Sequence, residues 1–197
     1  GQSVKIEVLG QQYNLDLGLI GEFQIYNALC ALGLVISEKL DDKDFIDKDY
    51  FGEVYYAKAV YLRRNGNPGG WFGDKSRSGG GPLIDLGVHV IDLVKYLVGN
   101  PKPVSVYGAT FQKLFNRPEI KSTKGYVSVS KSDKDICDVE DLATSLIRFD
   151  NGLVLSVETS FSLNIKSPKG DIELFGTKAG CKLDPEVEIY TDMNDYM

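Results

Sequence analysis

One stretch limits what this chain can become: Ser78-Gly-Gly-Gly-Pro-Leu-Ile-Asp-Leu-Gly-Val-His-Val-Ile-Asp-Leu-Val-Lys-Tyr-Leu-Val-Gly99. Its spacing predicts one helix over residues 82–98. Pro82 suits the first helical position, where a missing N–H is no loss. Gly99 suits a left-handed stop, and Asn100-Pro101 cannot continue the helix. Apolar residues fill most positions between, so the helix is expected to be buried almost all round. Asp85, His89, Asp92 and Tyr96 break the pattern, and at about 100° per residue they fall on one narrow stripe. Lys95 lies to the side. His89 is the only histidine in the chain.

Two readings of the stripe stand side by side. Asp85 and His89 can be an i,i+4 pair satisfied in a core, without chemistry. Alternatively, titratable groups in a desolvated place mark a cleft with a candidate acid/base. The glycines before the helix let a second backbone or a ligand come close. Exposed N–H groups at the helix start favour an anion. No Gly-Lys-Ser/Thr follows, so this is not a phosphate loop of the Walker type.

The run Gly79-Gly-Gly-Pro-Leu-Ile-Asp-Leu-Gly-Val-His-Val-Ile-Asp92 resembles the second signature of the glucose–fructose oxidoreductase/inositol dehydrogenase (Gfo/Idh/MocA) family. Phe51-Gly-Glu-Val-Tyr-Tyr-Ala-Lys-Ala59, Gly69-Gly-Trp-Phe72, Asp138-Val-Glu-Asp-Leu-Ala143, Phe149-Asp-Asn-Gly152 and Glu173-Leu-Phe-Gly-Thr-Lys-Ala-Gly180 resemble later parts of that family, in the same order. The resemblance covers about residues 41–197. It implies oxidation of a sugar or polyol hydroxyl with NAD or NADP. His89 would remove the hydroxyl proton, and Asp85 would orient the ring or bind a neighbouring hydroxyl. Asp92 matches the motif as a substrate-side residue or a helix support. Gly80 and Gly81 are the candidate cofactor-binding positions. Arg63, beside Arg64, is a candidate anion contact or a solvated base. Trp71 and Phe72 are candidate sugar-site walls or loop packing.

The family's Gly-x-Gly-x-x-Gly turn and its Glu-Lys-Pro do not occur here, and its last strand and helix extend beyond this chain. Residues 41–197 are therefore expected to be the substrate/catalytic domain, truncated at its C-terminus and without a Rossmann domain. As such it is expected to be inactive alone and to bind no nicotinamide cofactor. The alternative is a non-catalytic dimerisation or binding module. The family uses a large uncovered sheet face for dimer contacts, so a homo-oligomer through that face is expected.

Residues 4–19 alternate around Gly10-Gln11-Gln12, a hairpin signal. Phe23, Tyr26, Leu29, Cys30 and Leu34 then recur at helical spacing. Leu19-Ile-Gly-Glu-Phe-Gln-Ile-Tyr-Asn-Ala-Leu-Cys-Ala31 resembles the central domain of muramyl ligases, the UDP-N-acetylmuramoyl-tripeptide synthases. That resemblance covers about residues 1–38 and sets Asn27 near an adenine. The ligase's phosphate loop, metal and carbamate residues are absent, so ATP ligase activity is not expected. Charge-dense residues 37–50 carry a seam near 38–43, and the domains are read as 1–40 and 41–197.

After the long helix, 104–111 alternates, 126–129 is a possible strand in a polar excursion, and 142–149 and 153–161 flank the hairpin turn Asp150-Asn151-Gly152. Val54, Tyr56 and Tyr61 are the inward candidates of the strand over 53–63. The whole predicts an α+β fold: a mostly antiparallel open sheet with helices on one face, preceded by a β-hairpin–helix appendage.

With 197 residues and a formal charge of −6, the chain lacks the basic face of a nucleic-acid binder. No run of 18 apolar residues is present to span a membrane, and no signal peptide opens the chain. Cys30, Cys137 and Cys181 are scattered thiols, fitting a cytoplasmic protein with no metal site.

Overall fold

The computed structural model describes residues 2–8, 11–17, 50–114, 127–183 and 187–192. The chain separates into two compact units, residues 1–47 and 48–197. In the first, β1 (Gln2–Val8) pairs antiparallel with β2 (Gln11–Leu17), with Val4 opposite Leu15 and Ile6 opposite Tyr13. That is the hairpin the alternation predicts. The helix expected over 23–36, Asn27 and the seam at 38–43 lie outside the described residues.

The second unit is built on a sheet of β3 (Val54–Leu62), β4 (Pro103–Phe111), β5 (Leu142–Phe149), β6 (Val154–Ser160), β7 (Lys169–Gly176), β8 (Ala179–Lys182) and β9 (Glu188–Thr191), in the order β4-β5-β6-β3-β7-β8-β9. Every pairing is antiparallel except β3 with β6. Asn151 turns β5 into β6 as expected, its Oδ1 accepting the Leu153 N–H at 3.2 Å. β3 arrives early in sequence yet sits between β6 and β7, so residues at its end, Leu62 and Arg63, meet the end of β6. The Arg63 N–H donates to the Ser160 carbonyl at 3.0 Å, and the Ser160 hydroxyl donates to the Arg63 carbonyl at 3.0 Å.

The inward face of β3 differs from expectation. Ala57 and Ala59 are fully buried, and Leu155 and Val157 of β6 lie opposite them. Tyr56 points to the other face and stacks on Phe175 with ring centroids 5.5 Å apart. Small side chains occupy the covered side because a helix crosses it closely. A Cβ added to Gly87 of that helix would lie 3.6 Å from the Thr159 methyl on β6. Tyr61 does face inward, packing on the cluster of Leu86, Val139 and Phe161.

The helix predicted over 82–98 is present but not uniform. It opens as a π turn, Leu83–Gly87, and continues as an α-helix, Val88–Leu97. It ends as predicted: Gly99 and Asn100 both have positive φ, and the Asn100 N–H donates to the Lys95 carbonyl at 2.6 Å. Burial all round is not found. Leu86, Val90 and Val94 are buried, whereas Ile84 is 50% and Val88 48% exposed. A helix on a single sheet has one face down, at i, i+4 and i+8, and its upper face is left open. A short helix, α1 (Lys75–Ser78), precedes this run, so the longer α-helix is α2. The strand predicted at 126–129 is not formed over the described part. Residues 127–128 have no regular structure and 129–130 form a turn. The Ser128 N–H donates instead to the Pro68 carbonyl at 2.9 Å, docking the segment on a loop rather than on a strand.

Candidate active site

The site grows from the start of the long helix. Gly79 closes α1 in the left-handed conformation, with φ 80°. Gly81 has a different reason to lack a side chain. A Cβ there would lie 2.2 Å from the Glu140 carbonyl oxygen. The backbone expected to approach the glycines is thus that of the segment leading into β5.

Glu140 does more than pass by. Its Oε2 accepts the Gly81 N–H at 2.9 Å and its Oε1 accepts the Leu83 N–H at 3.3 Å. Pro82 between them has no N–H to offer. The Ile84 and Asp85 amides both donate to the Gly81 carbonyl, at 3.1 and 3.0 Å. The amides at this helix start are therefore held within the chain. A carboxylate of the chain itself sits where an anion was expected, and it would repel another. The Gly81 and Leu83 amides are taken by Glu140, which corrects the expectation of exposed N–H groups at this helix start. Gly80 is buried beside it.

Asp85 projects from the π turn toward Arg63, Oδ2 to Nη1 at 3.9 Å. Burial raises the Asp85 carboxyl above its ordinary value, opposed by the Arg63 and His89 charges. His89 follows one turn on, in the α-helix that continues from the π turn. Arg63 is itself held: its Nη1 donates to the Gly66 carbonyl at 3.1 Å, and its guanidinium lies 5.4 Å from the Tyr61 ring and 5.9 Å from that of Phe161. Of the residues singled out from the sequence, Arg63 and Asp85 come together, with His89 one turn further along the helix. Asp92 is half-buried on α2, three residues beyond His89. Trp71 and Phe72 form a stacked pair of their own, centroids 4.0 Å apart, and the Trp71 N–H donates to Ser130 Oγ at 3.3 Å. Arg64 is exposed.

Cys137 and Cys181 are free thiols, and burial pushes both up, Cys181 to about 11. Neither is a nucleophile near neutral pH. Among the described residues no cluster of His, Cys, Asp and Glu is arranged to hold a metal ion.

Glu140 is the residue that sequence reasoning missed. It lies in Asp138-Val-Glu-Asp141, where each carboxylate takes amides from a different place. Asp138 accepts the Lys75 N–H at 2.7 Å, and Asp141 accepts those of Lys113, at 2.6 Å, and Leu114. The signal was three carboxylates in four residues, but an extended segment does not reveal which amides it will meet.

A family model described as GFO/IDH/MocA C-terminal domain matches residues 42–182. D-glucoside 3-dehydrogenase of Escherichia coli (strain K12) is 39% identical over 154 residues, which is 77% of this chain and 42% of that protein. Levoglucosan dehydrogenase of Pseudarthrobacter phenanthrenivorans (strain DSM 18606 / JCM 16027 / LMG 23796 / Sphe3) is 30% identical over 143 residues, covering 69% of this chain and 36% of the relative. The solved levoglucosan dehydrogenase complex with NADH and levoglucosan superposes with a TM-score of 0.63 at 23% identity, covering 88% of this chain and 43% of that one. The chain spans less than half the length of these relatives. The family match begins at residue 42, and the likeness of residues 1–38 to muramyl ligases finds no support in these comparisons.

Proposed function

The chain belongs to the GFO/IDH/MocA family through its C-terminal domain, and we propose that it forms the substrate side of an NAD(P)-dependent sugar or polyol dehydrogenase. The observation that carries this reading is the ion pair of Arg63 with the half-buried carboxyl of Asp85, one turn before His89 on the same helix run. In the proposed reaction His89 accepts the proton of the substrate hydroxyl, the role of a general base. Asp85 orients the ring or holds a neighbouring hydroxyl, and Arg63 opposes the cost of burying its charge. In the complete enzyme the hydride acceptor is a nicotinamide cofactor, and no contact to it is assigned to the glycines of this chain. Ile84 and Val88, exposed beside Asp85 and His89, form an apolar strip that a nucleotide-binding domain would cover. Asp92, Trp71 and Phe72 remain candidates for the sugar's outer contacts.

The other face of the sheet supports a second role, association with another copy of the chain. Tyr107 is 81% and Leu146 47% exposed there, and they pair across β4 and β5. Tyr107→Lys is expected to lower the mass measured by light scattering if that face joins two copies.

The activity test joins residues 41–197 to the nucleotide-binding half of a relative. NAD-dependent oxidation of a pyranoside is the expected result. His89→Ala is expected to lower turnover by roughly 100-fold or more. Turnover at the parent rate would return His89 to a plain core histidine. Calorimetry of the chain alone is expected to show no micromolar binding of NAD, NADP or ATP, about −8 kcal/mol.

A further inference from the structure

We propose that Glu140 is a positioning residue of this site: its carboxylate, gripping the Gly81 and Leu83 amides, sets where the π turn begins and so holds Asp85 against Arg63 and in register with His89, one turn on. The proposal rests on the reading of Asp85 and His89 given above. A chain of contacts leads from one residue to the other. Glu140 takes the Gly81 N–H at 2.9 Å, and the Gly81 carbonyl takes the Asp85 N–H at 3.0 Å. The missing N–H of Pro82 leaves two amides flanking it, and the two carboxylate oxygens take one each. The glycine at 81 lets the Glu140 backbone come close enough for this, since a Cβ would stand 2.2 Å from its carbonyl oxygen. Charge-assisted bonds of this kind are the strong ones.

The π turn makes the placement matter. A π turn takes in one more residue than an α turn, so a turn relaxing to α geometry rotates Asp85 relative to His89. Without the Glu140 clamp, nothing else described holds the Gly81 N–H. From its other side Asp85 meets Arg63, anchored to Ser160 and Gly66. Asp85 thus stands between two fixed supports, one on the segment entering β5 and one at the end of β3.

The test uses the chain as it stands, because its only histidine gives an unambiguous NMR ring signal. Three variants are compared at one pH: Asp85→Asn, Glu140→Gln and Glu140→Ala. Gln keeps the side-chain volume and one acceptor oxygen. The Gly81 or Leu83 amide is expected to exchange about tenfold faster or more in Glu140→Gln, and both in Glu140→Ala. The His89 ring signal is expected to move by more than its linewidth in the direction seen for Asp85→Asn, less for Gln than for Ala. In the double variant Asp85→Asn/Glu140→Gln it is expected to move no further than in Asp85→Asn alone. Faster amide exchange with an unmoved His89 signal would overturn the proposal and leave Glu140 as a structural clamp. Simple addition of the two shifts would overturn it as well. If Glu140→Ala does not fold, the Gln variants decide. This outcome is separable from that of the proposed function, which falls on turnover by His89→Ala, whereas this test reads geometry alone.

Discussion

The two faces of the seven-stranded sheet are made by alternate residues of the same strands, yet they are built differently. On the covered face β3 presents Ala57 and Ala59, the helix comes down on β3 and β6, and the half-buried charges above it are tied down, Arg63 and Glu140 to backbone and Asp85 to Arg63. On the open face the same strand presents Tyr56 and Lys58. These meet Phe175 and Glu173 of β7 beside them, with Lys58 Nζ to Glu173 Oε2 at 3.3 Å. A close helix requires small residues beneath it and satisfied polar groups at its ends. An uncovered face has no such demand, so its large side chains pack laterally on each other. The lesson is that the same chemical groups carry different weight on the two sides. Changes on the helix side should be severe, and changes on the open side mild.

The strongest way to break that contrast is Phe161→Ala. Phe161 is buried under the helix, beside Leu86, and supports Arg63. Denaturant unfolding is expected to show a loss of about 3–5 kcal/mol. A loss as small as that of an open-face substitution would remove the distinction. Next in size comes Gly81→Ala, where the new methyl meets the Glu140 backbone. It is expected to cost about 1–3 kcal/mol, as overpacking does. Gly79→Ala, with open space around it and only a positive φ to oppose it, should cost about 1 kcal/mol.

A pH titration of stability sharpens the comparison through one charge. Burial raises the Asp85 carboxyl in the folded chain, so the folded state keeps this proton at a pH where the unfolded chain has lost it. Its contribution to stability is complete below the unfolded carboxylate value, about 3.9, and is lost as pH rises through the folded one. Asp85→Asn is expected to flatten that part of the curve, measured by thermal melts at a series of pH values. A parallel curve would place Asp85 in water. The smallest effect belongs to the open face. A double-mutant cycle on Lys58 and Glu173 should give a coupling of about 0.2–1 kcal/mol, shrinking in salt.

Much of this fold was legible from short-range patterns. Period-two alternation located β4, and Asn151-Gly152 marked the turn between the runs that became β5 and β6. Pro82 and Gly99-Asn100 bounded the helix correctly. The stripe that singled out Asp85 and His89 was read from side-chain spacing alone, and Arg63 from an Arg-Arg pair in a loop. The possible strand at 126–129 failed because a β-like composition says nothing about whether a partner edge is available. The buried-all-round helix failed because apolar content does not report how many layers cover it.

What the sequence determined by itself is local: caps, turns, alternation and the order of titratable residues along one helix, each decided within a few positions by backbone sterics and hydrogen-bond closure. Tertiary structure alone decided which carboxylate meets which amide and how the helix begins. Glu140 and Gly81 are 59 residues apart, and Arg63 reaches Asp85 because β3 is inserted between β6 and β7. Such pairings depend on the sheet order and the closeness of helix to sheet, which are settled by packing the whole unit at once. The π turn under Asp85 belongs to that second class.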